Sequence, residues 1–320
     1  MKSIAIFRAL QLGDFLCAIP AIRSLREAYP DAHIAWIGLP GTEHLQRRFN
    51  GYIDEFIPFP GYPGLPEQAV EPRQVVAFLQ QMQAHAFDLV LQMQGNGTYV
   101  NPLVTLFGAK KVAGFYKAPY FRPNEEYFIS YPEDLHEIER HLALMRHLGI
   151  TIKSNELEFP IRKAGSDILN KFKLTPARFI CIHPGARGIT RRWHPKYFAQ
   201  LGNQCFEKGI QVAITGTKEE KLIADELAAY MAHPPLVLTG QTDLDDIALL
   251  LQHAKGLVSN CTGVAHIAYA LRTPAVVISM DGEPHRWGPL NPRKQHIIDC
   301  RVKPNFEKVL QSFTDLINSV

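Results

Sequence analysis

The chain has 320 residues, and at roughly 150 residues per domain that length suggests two domains, each with its own core. Apolar residues make up 46% and charged residues 20%, close to soluble globular averages, which excludes a disordered, collagen-like or coiled-coil chain. Lys plus Arg total 34 against 31 Asp plus Glu, a net charge of +3, so no nucleic-acid-binding field is expected and any basic surface must be local.

The opening Met1-Lys2-Ser3-Ile4-Ala5-Ile6-Phe7 starts like a signal peptide, but Arg8 and Asp14 interrupt the apolar stretch, so a strand is expected instead. Short β-type runs then alternate with helical patterns: strand 4–7, helix 15–28, strand 33–37, helix 75–84 and strand 89–93. Between them, residues 58–72 carry seven Pro and Gly breakers (Pro58, Pro60, Gly61, Pro63, Gly64, Pro66 and Pro72), which predicts a long loop, either a lid or a plain connector. The alternation restarts with strand 179–182, helix 197–206, strand 210–215, helix 221–231, strand 236–238 and helix 244–253. Strand 256–258, helix 264–271 and strand 275–279 follow.

Two βα series predict two doubly wound parallel sheets facing a cleft. The polar stretch Lys163-Ala164-Gly165-Ser166 marks the boundary, giving domains over 1–164 and 165–320. The last helix, 306–317, has no strand after it, which leaves it free to pack back on the first domain. No run approaches the roughly 18 apolar residues that span a bilayer, so membrane contact is expected to be peripheral at most. The five cysteines, Cys17, Cys181, Cys205, Cys261 and Cys300, are odd in number and form no C-x-x-C pair. That argues against a disulfide framework or a zinc knuckle and fits a reducing cytoplasm.

Several motifs are set aside on geometry. In His136-Glu137-Ile138-Glu139-Arg140-His141 the histidines are five apart, about 140° around a helix, so they cannot share a metal and a surface helix is expected. Asp243-Leu244-Asp245 resembles a metal-holding D-x-D pair but directly precedes an apolar helical run, where acidic residues cap and complement the dipole. No P-loop appears, Gly95-Asn96-Gly97-Thr98-Tyr99-Val100 lacks the third glycine of a dinucleotide fingerprint, and no G-x-S-x-G elbow is present.

Three loops remain, each expected at the carboxyl end of a strand, where open α/β sheets place ligands. In Arg8-Ala9-Leu10-Gln11-Leu12-Gly13-Asp14, Asp14 is either a helix N-cap or a cleft-facing general base. In 183–193, Arg187, Arg191 and Arg192 with Thr190 stand beside Gly185 and Gly188, a composition suited to phosphate. In 259–266, Thr262 and Gly263 open a helix whose free amides and dipole make an anion site. His266, on its first turn, either reaches that anion or is packed.

Together these loops resemble glycosyltransferase family 9, the ADP-heptose lipopolysaccharide heptosyltransferases. The resemblance runs through R-x-x-x-L-G-D with downstream Pro20-Ala21, through H-P-G-A with basic-basic-Trp, and through T-G-x-x-H followed by Arg286-Trp287-Gly288-Pro289. It implies a GT-B fold with donor nucleotide on the second domain and acceptor on the first, inversion at the anomeric carbon, and no metal or other cofactor beyond the ADP-sugar substrate. It places Asp14 on the family's base, Thr190 and Arg191 on the donor diphosphate, Thr262, Gly263 and His266 on the helix-terminus site, and Glu220 on a ribose-contacting carboxylate. The family usually has Lys at Arg191 and Asp at Cys261. A thiol is a weak hydrogen-bond partner, so either the donor sugar differs or Asp281 or Glu283 supplies the missing acceptor.

The implied function is sugar transfer to a lipopolysaccharide-type glycolipid by a cytoplasmic enzyme, peripheral at the inner membrane. An anionic acceptor is expected on residues 110–122, where Lys110, Lys111, Lys117 and Arg122 interleave with Phe115, Tyr116, Tyr120 and Phe121. A retaining GT-B transferase, a non-catalytic nucleotide- or carbohydrate-binding protein of the same fold, and a nucleotide-sugar epimerase are the alternatives.

Overall fold

The computed structural model describes residues 1–163, 166–292, 294–301 and 305–319. The chain divides into two compact units, Met1–Asn155 and Glu156–Val320, each built on a six-stranded sheet. Ala164 and Gly165, between which the sequence places the boundary, lie outside the described residues.

The first unit runs β1 (Ser3–Phe7), α1 (Leu12–Ala28), β2 (His33–Gly38), α2 (Glu43–Arg48), β3 (Glu55–Pro58), α3 (Pro72–His85) and β4 (Leu89–Gln92). It continues with α4 (Val100–Thr105), β5 (Lys111–Tyr116), β6 (Phe128–Ser130) and α5 (Glu137–His147). The strand order is β3-β2-β1-β4-β5-β6, every pair parallel, so β1 and β4 flank the point where the chain reverses direction across the sheet. Helices cover both faces of such sheets, which is why β1, β2 and β4 are continuous apolar runs and show no alternation. Phe7, Phe59, Phe78 and Phe107 pack edge to face at 5.0–6.1 Å. Phe59, Tyr62 and Leu65 join that cluster, so the proline-rich loop is anchored on the core. It ends where the Glu71 side chain accepts from the Arg73 and Gln74 amides and Pro72 opens α3.

The second unit runs α6 (Ser166–Phe172), β7 (Phe179–His183), α7 (Pro195–Glu207), β8 (Gln211–Ile214), α8 (Lys221–Tyr230), β9 (Leu236–Val237) and α9 (Leu244–His253). Then come β10 (Gly256–Asn260), α10 (Gly263–Ala270), β11 (Ala275–Ser279), α11 (Pro284–Trp287), β12 (Gln295–Asp299) and α12 (Phe306–Asn318). The order is β12-β11-β10-β7-β8-β9, and the reversal falls between β7 and β10. Asp243 is the N-cap of α9 in a reciprocal capping box with Asp246, and Lys163 pairs with both carboxylates.

Helix α12 buries Val309, Phe313, Leu316 and Ile317 in the second unit's own core, with Ile180, Val258 and Val276. One expectation is corrected. Helix α5 forms as expected, but Glu137, Arg140 and His141 are only 3%, 1% and 1% exposed. It is no surface helix, because its charged residues have partners on other elements.

Replacing Phe313 by Ala is expected to cost the second unit about 3–5 kcal/mol, the range for emptying a buried aromatic site. Leu222, 84% exposed, should change stability by less than about 0.5 kcal/mol on the same substitution. Denaturant unfolding followed on both variants checks this; equal, small effects would show that α12 is not part of that core.

Candidate functional site

The sequence-predicted residues gather at the two strand-reversal points, one in each unit. In the first unit, α1 begins at Leu12 with Gln11 at its N-cap, so Asp14 lies in the first turn and is not the cap. Its side chain is 26% exposed, with Oδ1 3.6 Å from Nη2 of Arg8, which is itself 1% exposed. The Arg8 Nε donates to the Asp14 carbonyl at 2.7 Å, Nη1 donates to the Met93 carbonyl, and Nη2 donates to Glu137 Oε1 at 3.0 Å. The Gln94 side-chain Oε1 accepts from the Ala9 amide at 2.7 Å. The loops after β1 and β4 are therefore tied together beneath the Asp14 carboxylate.

In the second unit the loops after β7 and β10 are joined by Asn260, which is fully buried. Its Oδ1 accepts from the Trp193 amide at 2.9 Å and its Nδ2 donates to the Pro184 carbonyl at 2.7 Å. Trp193 is buried among Tyr197, Phe198 and Phe306, which anchors the far end of the basic loop. Between these anchors, Ile189–Arg191 forms a single 3-10 turn that leaves Thr190 and Arg191 exposed. Arg191 Nη2 donates to the Cys261 carbonyl at 3.2 Å and to Asp281 Oδ2 at 2.7 Å.

Thr262 caps α10 without any side-chain bond to its amides, so the amides opening the helix at Gly263 are not satisfied by their own cap. His266 is 4% exposed and lies against Tyr269 and Trp287, so the T-G-x-x-H and R-W-G-P motifs meet. Trp287 is held by Glu283 at 3.2 Å and lies under Arg286.

Glu220 closes the same end of the sheet. Its Oε2 accepts from the Thr217 amide at 2.8 Å and lies 3.6 Å from His183 Nε2. A Cβ at Gly185 would stand 2.0 Å from its Oε1, so glycine there is what lets the carboxylate approach the β7 loop. Burial lowers the His183 pKa, opposed by the Glu220 charge.

Cys261 is buried, and burial first, then Asp281, pushes its thiol up to about 12; it is neutral at physiological pH. Asp281 behaves oppositely. Burial opposes its ionisation, but the Ser279 hydroxyl, the Glu283 amide and Arg191 outweigh it and hold the carboxyl below its usual range. Asp281 and Glu283 thus stand beside Arg191 and Cys261, in the loop the sequence marks out for a replacement acceptor.

The basic-aromatic stretch 110–122 is split. Lys110 and Lys111 sit at the start of β5, where Lys110 pairs with Asp88 at 2.7 Å and Lys111 donates to the Tyr127 hydroxyl at 3.0 Å. Lys117 and Arg122 lie beyond the other end of the strand. Lys117 pairs with Glu133, and Arg122 stacks on Tyr116 and donates to the Glu125 and Phe128 carbonyls. The four cations therefore form no single patch; Lys117 with half-exposed Tyr120 and Phe121 lies beyond the carboxyl end of β5.

Among the described residues, no three His, Cys, Asp or Glu side chains gather so as to hold a metal ion, and no helix is long and apolar enough to cross a membrane. The residues that sequence reasoning passed over are Glu137 and Arg140. Their local pattern is that of a polar helix, and only the pairing with Arg8 across more than a hundred residues separates them from solvated charges.

The family model described as glycosyltransferase family 9 (heptosyltransferase) matches residues 75–313, more than half of the chain. Lipopolysaccharide heptosyltransferase 2 of Escherichia coli K12 is 28% identical over 186 residues, 54% of this chain and 53% of that protein. The chain spans about half the length of the first curated relatives it matches. Among solved structures, a family 9 glycosyl transferase from Veillonella parvula aligns with a TM-score of 0.81 at 19% identity, covering 99% of this chain and 97% of that one. E. coli ADP-heptose LPS heptosyltransferase II aligns at 0.75 and 22%, covering 99% and 98%. With two Rossmann-like units of parallel strands and these matches, the fold is GT-B, and the chain belongs to glycosyltransferase family 9.

Proposed function

We propose that the chain is an inverting, metal-independent glycosyltransferase that moves a heptose-like sugar from an ADP-sugar to a lipopolysaccharide core or related anionic glycan at the cytoplasmic face of the membrane. The observation that carries this reading is the seat of Arg191. Its guanidinium rests on the Cys261 carbonyl, which brings a cation to the turn where α10 opens its amides. A diphosphate there meets both the charge and the helix dipole. Asp281 is the present counter-ion of that guanidinium, and a doubly charged diphosphate competes with it.

The chemistry follows from those groups. The acceptor hydroxyl loses its proton to the Asp14 carboxylate as its oxygen bonds the anomeric carbon, and the bond from that carbon to the diphosphate oxygen breaks. Charge grows on the leaving oxygen, where Arg191 and the Gly263 amide stabilise it in the role a metal fills elsewhere.

Asp14→Ala should lower kcat by at least about 100-fold while donor affinity stays within a few-fold, because a base acts mainly in the transition state. A sugar-transfer assay with calorimetry on the same protein measures both; a folded variant with wild-type turnover would remove Asp14 from the chemistry. A binder of the same fold would transfer no sugar with Asp14 intact.

Arg191→Ala should weaken ADP binding by about 1.5–3 kcal/mol, the range for a charge-assisted hydrogen bond. EDTA should leave transfer unchanged. Unaltered ADP affinity in calorimetry would take the β7 loop out of the donor site, and lost activity in EDTA would end the metal-free mechanism.

Cys261→Asp should re-order the donors the enzyme accepts. A charged hydrogen bond gained at the sugar contributes about 1.5–3 kcal/mol, enough to change a preference set by sugar hydroxyls. A panel of ADP- and UDP-sugars run on both proteins reads this out; the same ranking headed by ADP-heptose in both would show that residue 261 does not select the sugar.

A further inference from the structure

We infer that Glu137 and Arg140, on α5, are positioning residues for Asp14, acting through Arg8; the inference rests on the reading of Asp14 as the base. Glu137 uses both oxygens. Oε1 accepts from Arg8 Nη2 at 3.0 Å and Oε2 accepts from Arg140 Nη1. Arg140 spends its other donors on the carbonyls of Pro132, Glu133 and Leu135 at 3.0, 3.1 and 3.2 Å, with its guanidinium 4.4 Å from the Tyr131 ring centroid. Arg140 is thus fixed by backbone, Glu137 by Arg140, and Arg8 by Glu137.

The charges of this cluster do not balance without Asp14. Two buried guanidiniums face one buried carboxylate. His141, whose Nε2 lies 3.3 Å from Glu137, adds none, since burial and then the Arg8 charge bring its pKa down to about 4. The remaining positive charge sits on Arg8, 3.6 Å from the Asp14 carboxylate. Uncompensated buried charge is strongly destabilising, whereas an apolar replacement of the whole cluster would stabilise as well or better. The cluster therefore does more than hold α5 in place: it keeps a buried positive charge beside the Asp14 carboxylate and its first turn pinned through the Arg8 Nε bond.

Glu137 also keeps Arg8 from claiming Asp14 outright. At 3.6 Å the Nη2 contact is longer than a direct hydrogen bond, with the nitrogen drawn toward the Glu137 carboxylate at 3.0 Å. With the Glu137 charge gone, Nη2 is drawn to the Asp14 carboxylate and bonds the oxygen that would take the acceptor's proton.

The test compares wild type, Glu137→Gln, Glu137→Asp and Asp14→Asn in the full chain. It measures kcat, donor KM, thermal midpoint and the NMR resonance of the Arg8 Nε–Hε group. Glu137→Gln should lower kcat by about 10- to 100-fold, the scale of a misplacement of about 1 Å, with donor KM within about two-fold. Glu137→Asp, which keeps the charge, should recover part of the rate and also serves if Glu137→Gln does not fold. The Arg8 Hε resonance should shift in Glu137→Gln. Wild-type kcat per folded molecule in Glu137→Gln, or equal losses in both Glu137 variants matching their loss of stability, overturns the inference while leaving Asp14 as base. If wild type transfers no sugar with any donor, the base assignment falls and the positioning role with it; where wild type is active, an unmoved Hε resonance in Glu137→Gln overturns the positioning role alone.

Discussion

The first unit depends on one buried cation. Arg8 leaves β1 with its backbone amide on the Ile37 carbonyl and its own carbonyl on Trp36 Nε1 at 3.0 Å, and its guanidinium then reaches α1, the end of β4 and α5. Where a doubly wound sheet reverses, its two central strands send their chains to opposite sides and leave a crevice. Nothing in the sheet ladder closes that crevice from below. A side chain with five donors in a rigid fork can reach all three elements at once.

The second unit solves the same problem with a neutral group. Asn260, at the end of β10, accepts from Trp193 and donates to Pro184, so one amide holds both ends of the loop after β7. The difference suits what each crevice presents. A carboxylate stands over Arg8, 3.6 Å from its buried guanidinium. Over Asn260 the exposed groups are Arg191 and amides that open a helix, and a second buried cation there would compete with them for an anion. The polarity of the buried cross-link and the polarity of the ligand-facing group are thus matched within each unit.

Much of this was legible in the sequence, for physical reasons that also set its limits. Central parallel strands are apolar on both faces, so β1, β2, β4, β7, β10 and β11 stand out as runs, and Asp243 announces α9 by its capping chemistry. The strands that escape, β3, β5, β6 and β12, lie away from the centre of each sheet and carry residues such as Glu55, Lys111 and His296. Asp14 appears as a cap from its neighbours alone, since the turn's start at Gln11 is set by the Arg8 contacts and not by any capping side chain. The burial of Glu137, Arg140 and His141 has no local signature; their helix reads as charged because its partners come from the loop after β1 and from the segment 132–135.

The same principle explains how the turn at residue 261 tolerates a thiol. Strands β10 and β11 are parallel neighbours, with Asn260 opposite Ile278, so the loop after β11 rises beside the loop after β10. Arg191 bridges the two, with one contact on the Cys261 carbonyl and one on the Asp281 carboxylate. A carboxylate at 261 would face the same guanidinium from one strand over. With Cys261 neutral and Asp281 ionised, the charge balance of the turn is kept while the negative group moves by one strand. What changes is geometry: an acceptor on the β11 loop stands on a different side of Arg191 than one on the β10 loop would. A diphosphate held, as proposed, by Arg191 and the α10 amides would meet the same charges in either case, so the substitution would separate selection of the sugar from grip on the nucleotide.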